Sequence, residues 1–115
     1  MSPRPLLGVA LAAVLLSPAA PAGAAAPREV EIQDNFYLPA RLTVARGTMV
    51  RWRWPDEPID VHDVKLRTGP RGVRRFQSEP AAGGYTFRRR LRRPGLYRIV
   101  CTLHEEMAMT VRVRR

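Results

Sequence analysis

The stretch GLYRIVCTLHEEMAMTVRV, residues 95–113, contains two segments in which apolar and polar residues alternate, with a short loop between them. Six side chains in it have the parity of a buried face: Tyr97, Ile99, Cys101, Met109, Val111 and Val113. A period of two residues is typical of a β-strand that buries one side. The stretch therefore predicts a strand on each side of the loop, with Cys101 facing inward at the end of the first strand.

The same alternation recurs along the rest of the chain. Four further segments carry it: VEI (30–32), TMVRWRW (48–54), VHDVKL (61–66) and YTFRRRL (85–91). Arg89 is an exception, since it occupies an inward position of the last of these segments. Turn-forming residues rich in Pro and Gly separate the segments. Seven or eight short strands at this spacing predict an all-β domain, an antiparallel sandwich or barrel.

The N-terminal 26 residues have a different character. Arg4 is followed by an apolar run from Leu6 to Leu16, and then by small residues and prolines. This order is typical of a secretory signal peptide, and the run is too short for an ordinary membrane-spanning helix. We therefore expect a signal peptide over 1–26, a domain over 27–115, and export to the periplasm, the cell surface or the medium. A retained membrane anchor is the alternative.

The chain is strongly basic. It holds 20 Lys and Arg against 10 Asp and Glu, for a formal net charge of +10, and Lys65 is the only lysine. Such a charge favours encounters with acidic partners or anionic surfaces. The run RRRLRR (88–93) raises the possibility of a metal-free binding module, although alternate arginines of a strand point to opposite faces. A solvated strand face is the simpler interpretation of this run.

Cys101, His104 and His62 are the residues that point to chemistry. Cys101 is the only cysteine, so it forms no disulfide within the chain. His104 follows three residues later, and His62 has the inward parity of its own segment. Each residue alone is compatible with ordinary core packing. Together with a nearby methionine they make up the ligand set of a blue-copper site: two imidazoles, one thiolate and a weak axial thioether.

These residues and their surroundings resemble the cupredoxins of the plastocyanin and amicyanin type. GLYRIVCTLHEEMAMTVRV is similar to the family's closing loop, Gly-x-Tyr-x-x-x-Cys-x-x-His-x-x-Met. DVHDVKL is similar to the segment that carries the family's first histidine, and DNFYLPARLTVARGTMVRWRW to its opening strands. The resemblance covers nearly all of residues 27–115. It implies a Greek-key antiparallel β-sandwich and one copper ion that cycles between Cu(I) and Cu(II).

The resemblance also implies the copper ligands, which would be His62, Cys101, His104 and a methionine. The shorter amicyanin loop selects Met107, and the plastocyanin loop selects Met109. Alternation favours Met107, because Met109 is in phase with the apolar face of the last strand.

Three residues depart from the family's pattern. Glu105 and Glu106 follow the second histidine, where proline is common. Asp63 stands where asparagine is common, and as a carboxylate it accepts a hydrogen bond from the loop backbone or Thr102 but donates none.

The function implied is that of an exported one-electron carrier without enzyme activity. Leu38, Pro39 and Leu103 are candidates for an apolar rim around His104, the expected electron port. We expect a monomer whose partners are redox proteins with acidic docking surfaces. Nucleic acid is not an expected partner, and neither is membrane insertion once the signal is removed. The alternative is a copper carrier or storage protein that uses the same ligands without electron transfer.

Overall fold

Eight β-strands make up the structure of this chain, a computed structural model that describes residues 1–16 and 25–115. They are β1 (Arg28–Gln33), β2 (Phe36–Leu38), β3 (Arg41–Ala45), β4 (Thr48–Arg53), β5 (Lys65–Thr68), β6 (Thr86–Leu91), β7 (Gly95–Val100) and β8 (Ala108–Arg114). The all-β sandwich that the sequence predicts is confirmed, with eight strands.

The strands form two four-stranded sheets, in the orders β2-β1-β4-β6 and β3-β8-β7-β5. The sheets are mixed rather than wholly antiparallel, since β1 pairs with β4 and β3 pairs with β8 in parallel. Each parallel pair joins strands distant in the sequence, whereas local alternation and turns point to antiparallel hairpins. The parallel pairs arise because the chain crosses between the sheets.

Inward-facing residues of both sheets fill the space between them. In β4 the buried positions alternate as the sequence predicts, and Trp52 is fully buried against Phe76 and Phe87. Burying large aromatic surface of this kind is the main stabilising contribution in a small sandwich. The two sheets are also joined by a polar contact, since the Trp52 indole N–H donates to the Met109 sulfur over 3.2 Å.

The segment 61–66 differs from its predicted form. The strand β5 starts only at Lys65, and His62 makes an isolated bridge to Ala81 instead of belonging to a strand. His62, Asp63 and Val64 are all buried, so the inward position of His62 is right although its strand is not. Burial on both sides of this segment hides the alternation expected of a half-exposed strand.

The two ends of the sandwich differ in composition. One end, where β1, β4 and β7 finish and β8 starts, carries Cys101 and is called the cysteine end. The opposite end, where β4 and β7 start and β6 and β8 finish, is called the arginine end. Leu91 pairs with Thr48 there, and Gly95 pairs with Val113.

Residues 1–16 carry no helix or strand. The remainder of the predicted signal peptide lies partly outside the described residues, at 17–24, so the signal peptide stays a prediction. Within the described part of the chain, no helix has the length and apolar character needed to cross a bilayer.

Candidate metal centre

Two loops at the cysteine end bring the predicted ligands together. Cys101 directly follows β7, and His104 lies in the loop between β7 and β8. The loop is closed by two backbone hydrogen bonds, from the Cys101 N–H to the Met107 carbonyl (2.9 Å) and from the Met107 N–H to the His104 carbonyl (3.1 Å). His62 arrives from the segment before β5. The fold therefore fixes the separation of residues that are about forty positions apart in the chain.

The donor atoms of these three residues converge. The Nδ1 atoms of His62 and His104 are 3.1 Å apart, and the Cys101 Sγ is 4.0 Å from the first and 3.6 Å from the second. A point in the plane of the three atoms and equidistant from them lies about 2.1 Å from each, which is a normal metal–imidazole distance. The triangle therefore has the size needed for a single metal ion.

The chemistry of the donors also fits copper. Two imidazole nitrogens and a thiolate in a trigonal arrangement suit a blue-copper site. Cys101 and His62 are buried, whereas His104 is half-buried. The cluster is therefore shielded from water on two sides and reaches the surface through one histidine. In the part of the chain that the structure describes, these three residues are the group whose donor atoms lie close enough together to hold a metal ion.

Asp34 is a partner of His62 that the sequence did not reveal. It lies in the two-residue turn between β1 and β2, and its Oδ1 is 3.0 Å from the His62 Nε2. The same oxygen accepts the Asp60 N–H over 3.0 Å. The hydrogen bond with His62, and then that from Asp60, hold the pKa of the Asp34 carboxyl below its ordinary value. An ionised Asp34 accepts the Nε2–H and so leaves the lone pair of His62 on Nδ1, facing the cluster.

Asp63 ties the two ligand loops together. Its carboxylate accepts hydrogen bonds from the Thr102 N–H (2.7 Å), from the Thr102 hydroxyl and from the Gln77 amide (3.3 Å). This confirms the prediction that an aspartate at this position serves as an acceptor for Thr102. The Tyr37 hydroxyl donates to the Asp63 backbone carbonyl over 2.8 Å, and burial raises the pKa of Tyr37. The neighbours of His62 and Cys101 are thus linked by partly buried hydrogen bonds.

The two methionines have different surroundings. Met109 is an inward residue of β8, and its sulfur accepts the Trp52 indole N–H. Met107 is also buried, but it lies before β8, where its backbone closes the ligand loop. The prediction that Met109 is a core residue is therefore confirmed, and its sulfur already has a partner.

The surface around the cluster is apolar in part and acidic in part. Leu38 and Leu103 are about half exposed, as is Phe36, which the sequence analysis did not single out. The Ala40 carbonyl accepts the Thr110 N–H over 2.9 Å, so the end of β2 lies beside the start of β8. Glu105 and Glu106 are exposed on the ligand loop.

Solved structures with the same fold include copper proteins. The chain resembles a Cu-containing nitrite reductase from Thermus scotoductus SA-01, with 24% identity over 93% of this chain and a TM-score of 0.67. It spans only 25% of the length of that reductase. It also resembles the reduced Cu(I) form of an amicyanin variant, with 24% identity, 76% of this chain and 82% of the other covered, and a TM-score of 0.66.

A pseudoazurin from Sinorhizobium meliltoi gives a similar result, with 19% identity, 79% of this chain and 76% of the other covered, and a TM-score of 0.64. No protein-family model and no curated protein matches the sequence. At these identities the likeness establishes the cupredoxin fold, and the function has to be argued from the site itself.

Proposed function

We propose that this protein is an exported type 1 copper protein that carries single electrons between redox partners. The observation that supports it most strongly is the triangle formed by the His62, His104 and Cys101 donor atoms. Bound there, copper would supply a one-electron couple between Cu(I) and Cu(II). The cupredoxin fold of the copper-containing neighbours adds support.

Each residue of the site has a separate task in this proposal. Cys101 provides a thiolate, and His62 and His104 provide neutral imidazoles through Nδ1. Asp34 accepts the His62 Nε2–H and so keeps the ring in the tautomer whose Nδ1 is free to bind the metal. Met107 would supply the weakly bound thioether, since the sulfur of Met109 already accepts the Trp52 N–H. Burial of Cys101 and His62 excludes water from the coordinating atoms.

The half-buried His104 is the route by which an electron enters or leaves. Its neighbour Leu103 is exposed, so a partner can pack closely against this part of the loop. The closure of the loop by backbone hydrogen bonds, and the anchoring of Thr102 by Asp63, keep the donor atoms nearly fixed. A rigid donor set favours fast transfer, because little has to move when the oxidation state changes.

Electron transfer fits the composition of the chain better than catalysis. The sequence holds two histidines, and both belong to the donor triangle. The chain's own residues therefore provide no histidine for a second copper centre. We place the protein in the periplasm, at the cell surface or in the medium, on the basis of the signal-like residues 1–26.

Titration of the purified protein with Cu(II) tests this proposal. We expect an intense blue thiolate-to-copper absorption band that disappears on reduction and returns on oxidation. Cys101→Ser removes the thiolate and abolishes the band. Absence of the band in the wild type refutes the proposal, and a band without reversible reduction favours the copper carrier or storage function.

A matched pair of variants tests the axial ligand. Leu replaces Met with little change in volume, at a usual cost under about 1.5 kcal/mol. Met107→Leu should shift the visible spectrum and the reduction potential while the fold is kept. Met109→Leu should leave both nearly unchanged but destabilise the protein by about 1–3 kcal/mol, because the buried Trp52 N–H loses its acceptor. The opposite pattern would assign Met109 as the ligand.

A further inference from the structure

Five residues of the run RRRLRR (88–93) line a cavity at the arginine end that the proposed copper site does not use. The cavity has a volume of about 350 Å³. Its lining combines five arginines with four apolar or aromatic residues: Arg74, Arg89, Arg90, Arg92, Arg93, Val73, Phe76, Leu91 and Tyr97. The volume lies within the range of about 300–1,000 Å³ that is usual for small-molecule sites.

The cavity exists because the sandwich is open along one edge. The edge strands β6 and β5 belong to different sheets, and the segment between them runs across the gap. Phe87 and Leu91 face inward from β6 and are buried, whereas Arg89 has the same parity and is exposed. Arg89 therefore has the parity of an inward residue but lies outside the core, at the open edge of the sandwich.

The guanidinium of Arg89 lies on an aromatic surface. Its Cζ is 4.4 Å from the centroid of the Phe87 ring and 5.8 Å from that of Phe76. Phe76 is distant from Arg89 in the chain, so the sequence alone does not display this part of the aromatic surface. The Arg89 Nη1 donates to the Arg88 carbonyl over 2.9 Å. Stacking and this hydrogen bond restrain the guanidinium and leave its remaining N–H groups available for an anion.

Arg93 is also held in place. A Cβ atom on Gly72 would lie 3.2 Å from the Arg93 Cζ, so the guanidinium packs against the bare backbone of this glycine, whose φ is +78°. The Tyr97 hydroxyl donates to the Arg93 carbonyl over 2.7 Å and fixes the backbone there. Two of the five guanidinium groups thus have positions set by packing.

The positive charge around the cavity is not neutralised by the protein. Among the described residues, the arginine–carboxylate ion pair within 4.0 Å is Arg51–Glu29, which lies outside the cavity. Five guanidinium groups without a carboxylate repel one another and attract anions, and their planar N–H edges match the oxygens of a phosphate.

We propose that the cavity at the arginine end is a binding site for a phosphate-ester oxyanion. The ligand has at least one phosphate group, which Arg89 and Arg93 contact. Its organic part is small enough to pack against the apolar and aromatic residues of the lining. The site is independent of the metal centre. The strand β7 separates the two, and its six residues span roughly 20 Å.

Isothermal titration calorimetry of the full chain with pyrophosphate, which measures the dissociation constant, tests this proposal. Arg89→Gln with Arg93→Gln should weaken binding by about tenfold for each arginine that contacts the anion. Arg28→Gln with Arg41→Gln is the matched control, because it removes two exposed arginine charges outside the cavity. The control should keep binding within about twofold at 0.15 M salt, where distant charges are screened. Equal weakening in both double variants would refute the site.

Two further measurements complete the test. Arg89→Lys with Arg93→Lys keeps the charge but removes the two-pronged guanidinium edge, so it should bind pyrophosphate more weakly than the wild type. Sedimentation with phosphatidylglycerol vesicles, with phosphatidylcholine vesicles as control, identifies the source of the phosphate. Cavity-dependent binding to the vesicles alone indicates a lipid headgroup, and cavity-dependent binding to pyrophosphate alone indicates a free, small phosphate compound. Absence of cavity-dependent binding in both assays overturns the proposal.

Discussion

The cysteine end and the arginine end of this sandwich differ in whether their charged side chains have partners within the protein. At the cysteine end the two aspartates beside the cluster have partners from distant parts of the chain, as Asp34 has His62 and Asp63 has Thr102. At the arginine end the guanidinium groups repel one another without a carboxylate between them. The side chains of the cysteine end are therefore held by contacts within the protein before a ligand binds. The positive charges of the arginine end gain partners only when an anion binds.

The largest expected effect comes from breaking the hydrogen bonds of Asp63. Asp63→Ala removes the acceptor of the Thr102 N–H and hydroxyl, and we expect a loss of about 3 kcal/mol in the free energy of unfolding. Urea denaturation of the metal-free protein, followed by tryptophan fluorescence, measures it. Asp63→Asn keeps a carbonyl acceptor and should recover most of the stability. A loss below about 0.5 kcal/mol in Asp63→Ala would show that the cysteine end is not held by this residue.

A smaller effect is expected at Asp34. Asp34→Asn keeps the size of the side chain but weakens the acceptor of the His62 Nε2–H, so copper affinity should fall by about 10- to 100-fold. Competition with a chelator of known affinity measures the change. Asp60→Asn is the control, since it removes an exposed carboxylate from the same region while its backbone still donates to Asp34. Equal losses in both variants would mean that only the local negative charge matters.

The smallest effect, and one of opposite sign, is expected at the arginine end. Arg92→Gln removes one of five crowded positive charges and should stabilise the ligand-free protein by up to about 0.5 kcal/mol at low salt. The gain should vanish near 1 M salt, where the screening length is about 3 Å. Thermal unfolding at the two salt concentrations measures it. A loss of stability at low salt would show that this end, too, is organised without a ligand.

The fold could be predicted because its inward positions alternate within single strands. β4 and β8 bury every second residue, and this pattern is local, so the sequence displays it directly. The parallel pairing of β1 with β4 could not be predicted in this way. It depends on where the chain crosses between the sheets, which no local pattern encodes.

The candidate site, like the fold, could be predicted only where its signals are local in the sequence. Cys101 and His104 are close in the chain, and the residue types of the cluster limit its chemistry. Asp34 was missed because its only local signal is a turn, and the contact with His62 spans 28 positions. The contact between Arg89 and Phe76 was missed for the same reason, since it joins β6 to the preceding loop.

The direction of the first and last strands has a practical consequence. β1 starts beside Val50, which pairs with Arg89, and β8 finishes beside Ala45. The start of β1 and the end of β8 therefore both lie away from Cys101. A tag or linker fused before β1 or after β8 therefore leaves the histidine-bearing surface clear. Immobilised on an electrode through such a linker, the domain would turn His104 towards the solution. Immobilised through a residue beside Leu103, it would bring His104 within tunnelling distance of the metal surface.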